Sequence, residues 1–400
     1  MEQQLVLIGA DLGWWKNMED ERFLREGILE ALSLPPERLM FCLSHTHAGP
    51  GLCRSDVSKP GGEFIEKYLL NVQSAAISAV NKALSRAVPA DLTWTYGRCN
   101  LAANRDLPDI DSDRLVVGFN PGNNADDTLL TGRIIGKDGK ILGTIVNYAC
   151  HPTTLAWDNL LISPDYVGAM RGVVESATEV PCLFLQGASG ELAPAEQYTG
   201  DTEVADKHGR QLGYAVLSSL ESMLPAGKEL SFNKIIESAA PLAVWSLKES
   251  NPSTKLKATK TEVPFALKEM PSIAEIERQW NECTPGAEKE KLWRKLNIRK
   301  STGDGDVMTT PLWIWQLGGA FLVGQPNEAY SIFQQELRKL FPHNAVAVMN
   351  IVNGHMGYLP PAHLYEKDIY PVWQTPFAKG SLELLIQTSA NVCTQLINEQ

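Results

Sequence analysis

Two spacings of apolar residues run through the first 220 positions. Short continuous apolar runs, such as "LVLIGA" (5–10), "RLMFCLS" (38–44) and "PCLFLQ" (181–186), have the length of buried strands. Between them, apolar residues recur every three or four positions, the period of a helix with one buried face. Residues 18–34 place Phe23, Leu24, Ile28 and Leu29 on such a face, and Pro35-Pro36 ends that helix. The same period predicts helices over 64–87, 165–177 and 203–223. Strands are expected at 91–99 and 114–121, and at 131–152 as a hairpin turning at "KDGK".

Two strand-like stretches follow, at 230–242 and 256–267, and then a charged helical segment over 272–300 whose charges read as a solvated face. The apolar pattern then returns: strands over 312–326 and 344–354, a helix over 328–341 and a last helix over 380–399. Strands alternating with helices predict an α/β fold, a layered mixed β-sheet with flanking helices. No repeat or composition break divides the chain, so one domain over 1–400 is expected, with a helical insertion at about 268–302.

Composition narrows the function classes. A net charge of −11 lacks the basic face that nucleic acid requires. No apolar run approaches the ~20 residues of a bilayer span. The seven cysteines are widely spaced and several lie inside apolar runs, so free thiols are expected rather than a disulfide framework. With no secretory leader pattern at the start, the sequence reads as cytoplasmic, or as exported if residues precede it. The expected partner is a small-molecule or lipid- or glycan-like substrate.

Polar chemistry gathers where apolar runs end. "CLSHTHAGPG" carries His45 and His47, "IVNYACHPTTL" His151, "FLVGQPNEAY" Glu328, and "MNIVNGHMGYLPP" His355 and Tyr358. Strand ends in α/β folds face a common crevice, where ligands bind. Imidazole is the commonest zinc donor. Alone, each motif has a plain structural explanation: a core histidine for His151, a first helical turn for Glu328. Their shared position favours a site. The turn at 182–195, with Glu191 embedded, reads either as close packing or as backbone N–H groups offered to an anion. Ser189 lacks the nucleophile-elbow pattern. Trp14, Trp15, Trp157 and Trp373 are candidates for a pocket wall or for core.

In this order, these segments resemble the neutral/alkaline non-lysosomal ceramidase superfamily. "SHTHAGPG" is similar to its T-H-T-H-S-G-P-G segment, "NYACHPTTL" to its histidine-proline-threonine segment and "GQPNEAY" to its P-G-E stretch. "ANRDL" resembles its asparagine-arginine pair, and "NGHMGYLPPAHLYEKDIY" its tyrosine-rich segment. The likeness runs from about residue 5 to 375. It implies a zinc amidase in which His45, His151, Glu328 and Tyr358 hold the metal, with His47 and Arg105 beside the reacting group. His355 stands at another aromatic position of the motif and competes with Tyr358 as fourth ligand.

The resemblance breaks in three places. In "GELAPA" (190–195), Glu191 stands for the family's acid and Ala193 for its nucleophilic serine. Over these 400 residues no C-terminal β-sandwich is expected, nor the family's usual opening segment. Since alanine cannot attack, the sequence implies a Zn2+-dependent hydrolase of amides or esters in which water attacks, with space for it beside Ala193. His47, Glu191 or Asp165 would be the general base, and Arg105 would orient a polar or anionic substrate group. The second reading is a catalytically silent metal- or ligand-binding protein.

Overall fold

Neighbouring residues of a strand point to opposite faces, and here they enter different cores. Leu129 and Val146 pack in one cluster while Leu130 and Ile145 pack in another. In the same way Leu312 and Ile314 face away from Trp313 and Trp315. Two sheets buried on both faces result. The computed structural model, which describes residues 4–303 and 305–399, stacks them as the middle layers of a helix–sheet–sheet–helix arrangement. The α/β reading therefore holds.

The first sheet runs Ala90–Arg98, Thr128–Gly136, Ile141–Tyr148, Cys182–Gln186. The second runs Leu256–Ala266, Val307–Leu317, Ala320–Gly324, Ala345–Met349. In each, the first three strands are antiparallel and the fourth joins parallel. A parallel pair, Val6–Ala10 and Leu39–Leu43, lies beside them.

The helices are α1 (Met18–Leu32), α2 (Ile65–Leu84), α3 (Tyr166–Thr178), α4 (Thr202–Glu221), α5 (Ile273–Glu282), α6 (Ala287–Thr302), α7 (Ile332–Leu340), α8 (Tyr370–Gln374) and α9 (Ser381–Asn398). α3 and α4 cover the first sheet with Met170, Val174, Leu212 and Val216. They touch closely because Gly209 has no side chain: a Cβ there would lie 2.3 Å from the Tyr166 carbonyl oxygen. α7 and α9 cover the second sheet with Phe333, Leu337, Leu382 and Leu385. α1 and α2 cover the parallel pair. Among the described residues, no helix is long and apolar enough to cross a membrane. All seven cysteines are free.

Three expected elements differ. The single strand over 230–242 is a hairpin, Lys228–Ile236 with Leu242–Glu249, because Pro241 interrupts the run and "LAVWSLKE" pairs back on it. The helix over 272–300 is broken into α5 and α6 at Pro285 and Gly286, where φ reaches +151°. The helix over 328–341 starts only at Ile332: Glu328 and Ala329 instead pair in parallel with Tyr358 and Leu359. That pairing puts Glu328 on a strand end rather than in a helical turn.

Candidate metal centre and its cavity

The strands Leu39–Leu43, Ile141–Tyr148, Ala320–Gly324 and Ala345–Met349 end close together, and the residues that follow them converge. His45 adopts a left-handed backbone, φ +68°, a conformation uncommon for a residue with a side chain. Its N–H bonds to the Leu12 carbonyl at 3.0 Å. The turn so fixed sets the His45 imidazole against Glu328, Nε2 to Oε2 at 3.3 Å. His151 reaches the same oxygen with Nε2 at 2.9 Å, and His355 reaches Oε1 with Nε2 at 2.8 Å. His45, His47 and His151 each offer a nitrogen within 4.8 Å of the others, a group able to hold a metal ion.

The outer nitrogens of these rings are also engaged. His45 Nδ1 lies 3.2 Å from the Gly13 carbonyl, His151 Nδ1 2.6 Å from that of Ser189, and His355 Nδ1 3.1 Å from that of Trp15. A carbonyl only accepts, so each Nδ1 carries a proton, and in a neutral ring the Nε2 keeps its lone pair. Arg105 confirms this at His151, because its Nη2, a donor only, lies 3.2 Å from Nε2. Burial, then Arg105, pushes the His151 pKa down to about 3. At His151, a neutral imidazole thus aims its lone pair at a carboxylate oxygen that also carries only lone pairs. Burial alone would raise the Glu328 carboxyl, but the surrounding histidines outweigh it and hold it ionised, well below the usual range. A cation at this convergence would satisfy these groups, and histidine and carboxylate are donors able to hold a metal ion. The carbonyls behind the rings fix their tautomer and orientation, the support that metal-ligating histidines usually have.

The remaining sequence candidates divide. Tyr358 and Arg105 belong to the constellation: Arg105 Nη2 donates to the Tyr358 hydroxyl at 3.1 Å and to the Gly190 carbonyl at 2.8 Å. Burial pushes the Tyr358 phenol well above its ordinary pKa. His47 is the exposed histidine of the group and opens on the cavity. Protein atoms crowd the rest of its ring, and that, with His45 and His151, holds its pKa well below the usual value.

Asp165 and Glu191 stand apart from the constellation and do not line the cavity. Asp165 caps α3, accepting from the Tyr166 N–H at 2.6 Å, and its second oxygen accepts from Leu155 N–H at 2.9 Å. Glu191 is held by the N–H and hydroxyl of Ser331. In the turn around Glu191, the N–H groups of Gly187, Ala188 and Leu192 are bonded within the protein. The Gly190 N–H is bonded to Ala329, and the carbonyls of Ser189 and Gly190 serve His151 and Arg105. Ala193 is buried, paired with Ala103.

Burial pushes the Glu191 carboxyl up to about 7, against the Ser331 bonds that lower it. The free carboxyl titrates at 4.5, so between these values the folded chain holds a proton that the unfolded chain has lost. Stability present below the lower pH is therefore lost as pH rises through the higher one. At ~1.4 kcal/mol per pKa unit, the loss is about 3 kcal/mol. Urea unfolding of the wild type at pH 4.5 and 8 should show it, and Glu191→Gln should shrink the difference by about that amount. An equal decline in the variant contradicts the assignment.

A cavity of about 370 Å3 opens over the centre. Trp14, His45, His47, Glu328, His355 and Tyr358 form its floor, and Trp293, Arg294, Asn297, Ser301 and Thr302 of α6 its opposite wall. The charged helix expected to be merely solvated therefore faces the site. Sequence reasoning missed it because α6 has no periodic apolar face. The one hint was Trp293 among basic residues in "KLWRK". Of the candidate tryptophans, Trp14 and Trp15 line the cavity, Trp157 is exposed, and Trp373 packs edge-on against Tyr370.

No protein-family model matches the chain. Over 165 residues it is 26% identical to the neutral ceramidase of Pseudomonas aeruginosa, a match covering 39% of this chain and 24% of that relative, about a quarter of its length. The crystal structure of neutral ceramidase from Pseudomonas aeruginosa superposes with a TM-score of 0.70 at 15% identity, over 99% of this chain and 67% of the other. A ceramidase complexed with C2 gives 0.66 at 14% identity, over 99% and 68%. The chain has a neutral-ceramidase-like fold.

Proposed function

We propose that the protein is a zinc-dependent hydrolase that cleaves an amide or ester bond by attack of water. The observation that carries this reading is the convergence of three backbone-anchored histidines on one buried carboxylate. His45, His151 and Glu328 would hold the zinc, with the Tyr358 hydroxyl as fourth donor. His355, bonded to the other oxygen of Glu328, orients that carboxylate. Bound there, zinc supplies Lewis acidity and lowers the pKa of water from ~15.7 to ~7.

The chain's own groups do the rest. His47, facing the cavity, accepts the proton of the attacking water and returns it to the leaving nitrogen or oxygen as the bond to the acyl carbon breaks. Arg105, buried against His151 and Tyr358, places a positive charge behind these groups that favours negative charge developing on the acyl oxygen. Asp165 and Glu191, engaged in capping and packing, are released from the role of base.

Ala193 favours a second reading, a metal- or ligand-binding protein without turnover, because no nucleophile stands in the segment resembling the ceramidases' serine. A panel of N-acyl amides and esters separates the two. The hydrolase reading expects turnover that chelation abolishes, zinc restores and His47→Ala lowers by about 100-fold, the scale of general acid–base catalysis. A metal-loaded protein that cleaves none of the panel supports the silent reading.

A further inference from the structure

The rim of the cavity differs from its floor. Trp293 of α6 stands between two ammonium groups, Lys16 Nζ 5.5 Å and Lys59 Nζ 4.8 Å from the centre of its ring. Both lysines share one carboxylate, Asp56, at 2.7 and 3.0 Å. Arg294 lies on the same wall, bonded to Glu290 at 3.0 Å and to the Tyr370 hydroxyl at 2.9 Å. Three cations against two acids leave one net positive charge, on a chain whose total is −11. Trp15 also lines the cavity, and its buried indole N–H has no hydrogen-bond partner among the described residues. That N–H is sealed from solvent, so the donors the rim offers a ligand are the Lys16, Lys59 and Arg294 side chains.

We propose that this rim is a carboxylate-reading subsite: the substrate is an N-acyl or O-acyl compound whose non-acyl part carries a carboxylate, seated between α6 and the Lys16 and Lys59 side chains. The identification of the substrate rests on the hydrolase reading; the subsite itself does not. One surplus positive charge matches a singly charged carboxylate better than a doubly charged phosphate monoester. Trp14 and Trp293 both line the cavity, and their indoles offer apolar surface to an acyl chain.

Binding, not turnover, tests this. Calorimetry compares N-octanoylglycine with its neutral counterpart N-octanoylethanolamine, on zinc-loaded and on chelator-treated protein. The glycine conjugate should bind about tenfold more tightly or better in both forms, the scale of a charge-assisted hydrogen bond. The ratio should fall to near one in the double variant Lys59→Gln/Arg294→Gln and survive in Lys59→Arg. The single variant Lys59→Gln, at a half-exposed side chain, should lower the ratio in the same direction if the double variant does not fold.

A ratio near one in the wild type, or one unchanged in the glutamine variants, overturns the subsite. So does a preference that disappears on chelation, which would put the carboxylate on the metal, and so does failure of both compounds to bind. A preference retained by a protein that cleaves neither compound supports the subsite and retires the hydrolase reading.

Discussion

Protein carrying His151→Ala is expected to purify with less than a tenth of the zinc held by the wild type, and to lose essentially all metal-dependent hydrolysis. The side chain is fully buried, and its Nδ1 is fixed by the Ser189 carbonyl while its Nε2 faces Glu328. Loss of a supporting residue around a metal costs ~10–100-fold in affinity or activity, and loss of a donor costs more. The substitution also leaves Arg105 without one of its partners and opens a small void, so stability falls by about 2 kcal/mol independently of metal. Zinc quantified by mass spectrometry after dialysis, beside a calorimetric scan, separates the two effects. Wild-type zinc content in a folded variant would remove His151 from the centre.

Glu328→Gln should act in opposite directions on the two forms of the protein. Without metal, Oε2 of the wild-type carboxylate faces the lone pair of the neutral His151 imidazole. A glutamine NH2 at that place donates to it, so the metal-free variant should be as stable as the wild type or more so. With metal, the lost charge should cut affinity by at least ~100-fold. A ligand at a thousand times its dissociation constant stabilises the folded state by about 4 kcal/mol, so zinc should raise the wild-type Tm by several degrees and leave the variant nearly unmoved. Equal shifts in both would mean that the metal does not use Glu328.

The floor of the site was legible because strand ends are local events. "CLSHTH", "NYACHP" and "GQPNEAY" each finish an apolar run with the polar residue that the fold then brings inward. The α/β layering follows from the same runs, whose alternate residues had to be buried on two sides. Tertiary pairing was not legible. Glu328 sits where it does because it pairs with Tyr358, thirty residues later, whereas local pattern alone favoured a helix there. Asp165 and Glu191 are acids of the type a site needs, yet capping and a serine contact engage them, and neither leaves a mark on composition. α6 is the clearest case: a helix held by arginine, lysine and tryptophan contacts has no apolar period to betray that it faces a cavity. The left-handed turn at His45 was equally invisible, since no glycine marks it.

In the proposed centre, His45, His151 and Glu328 enclose one zinc ion. Zinc-edge X-ray absorption on zinc-replete protein, with metal content measured on the same sample, tests it most directly. The expected result is one equivalent of zinc per chain with only nitrogen and oxygen donors, at about 2.0–2.2 Å. Less than a tenth of an equivalent, or a sulfur donor at about 2.3 Å, would contradict it.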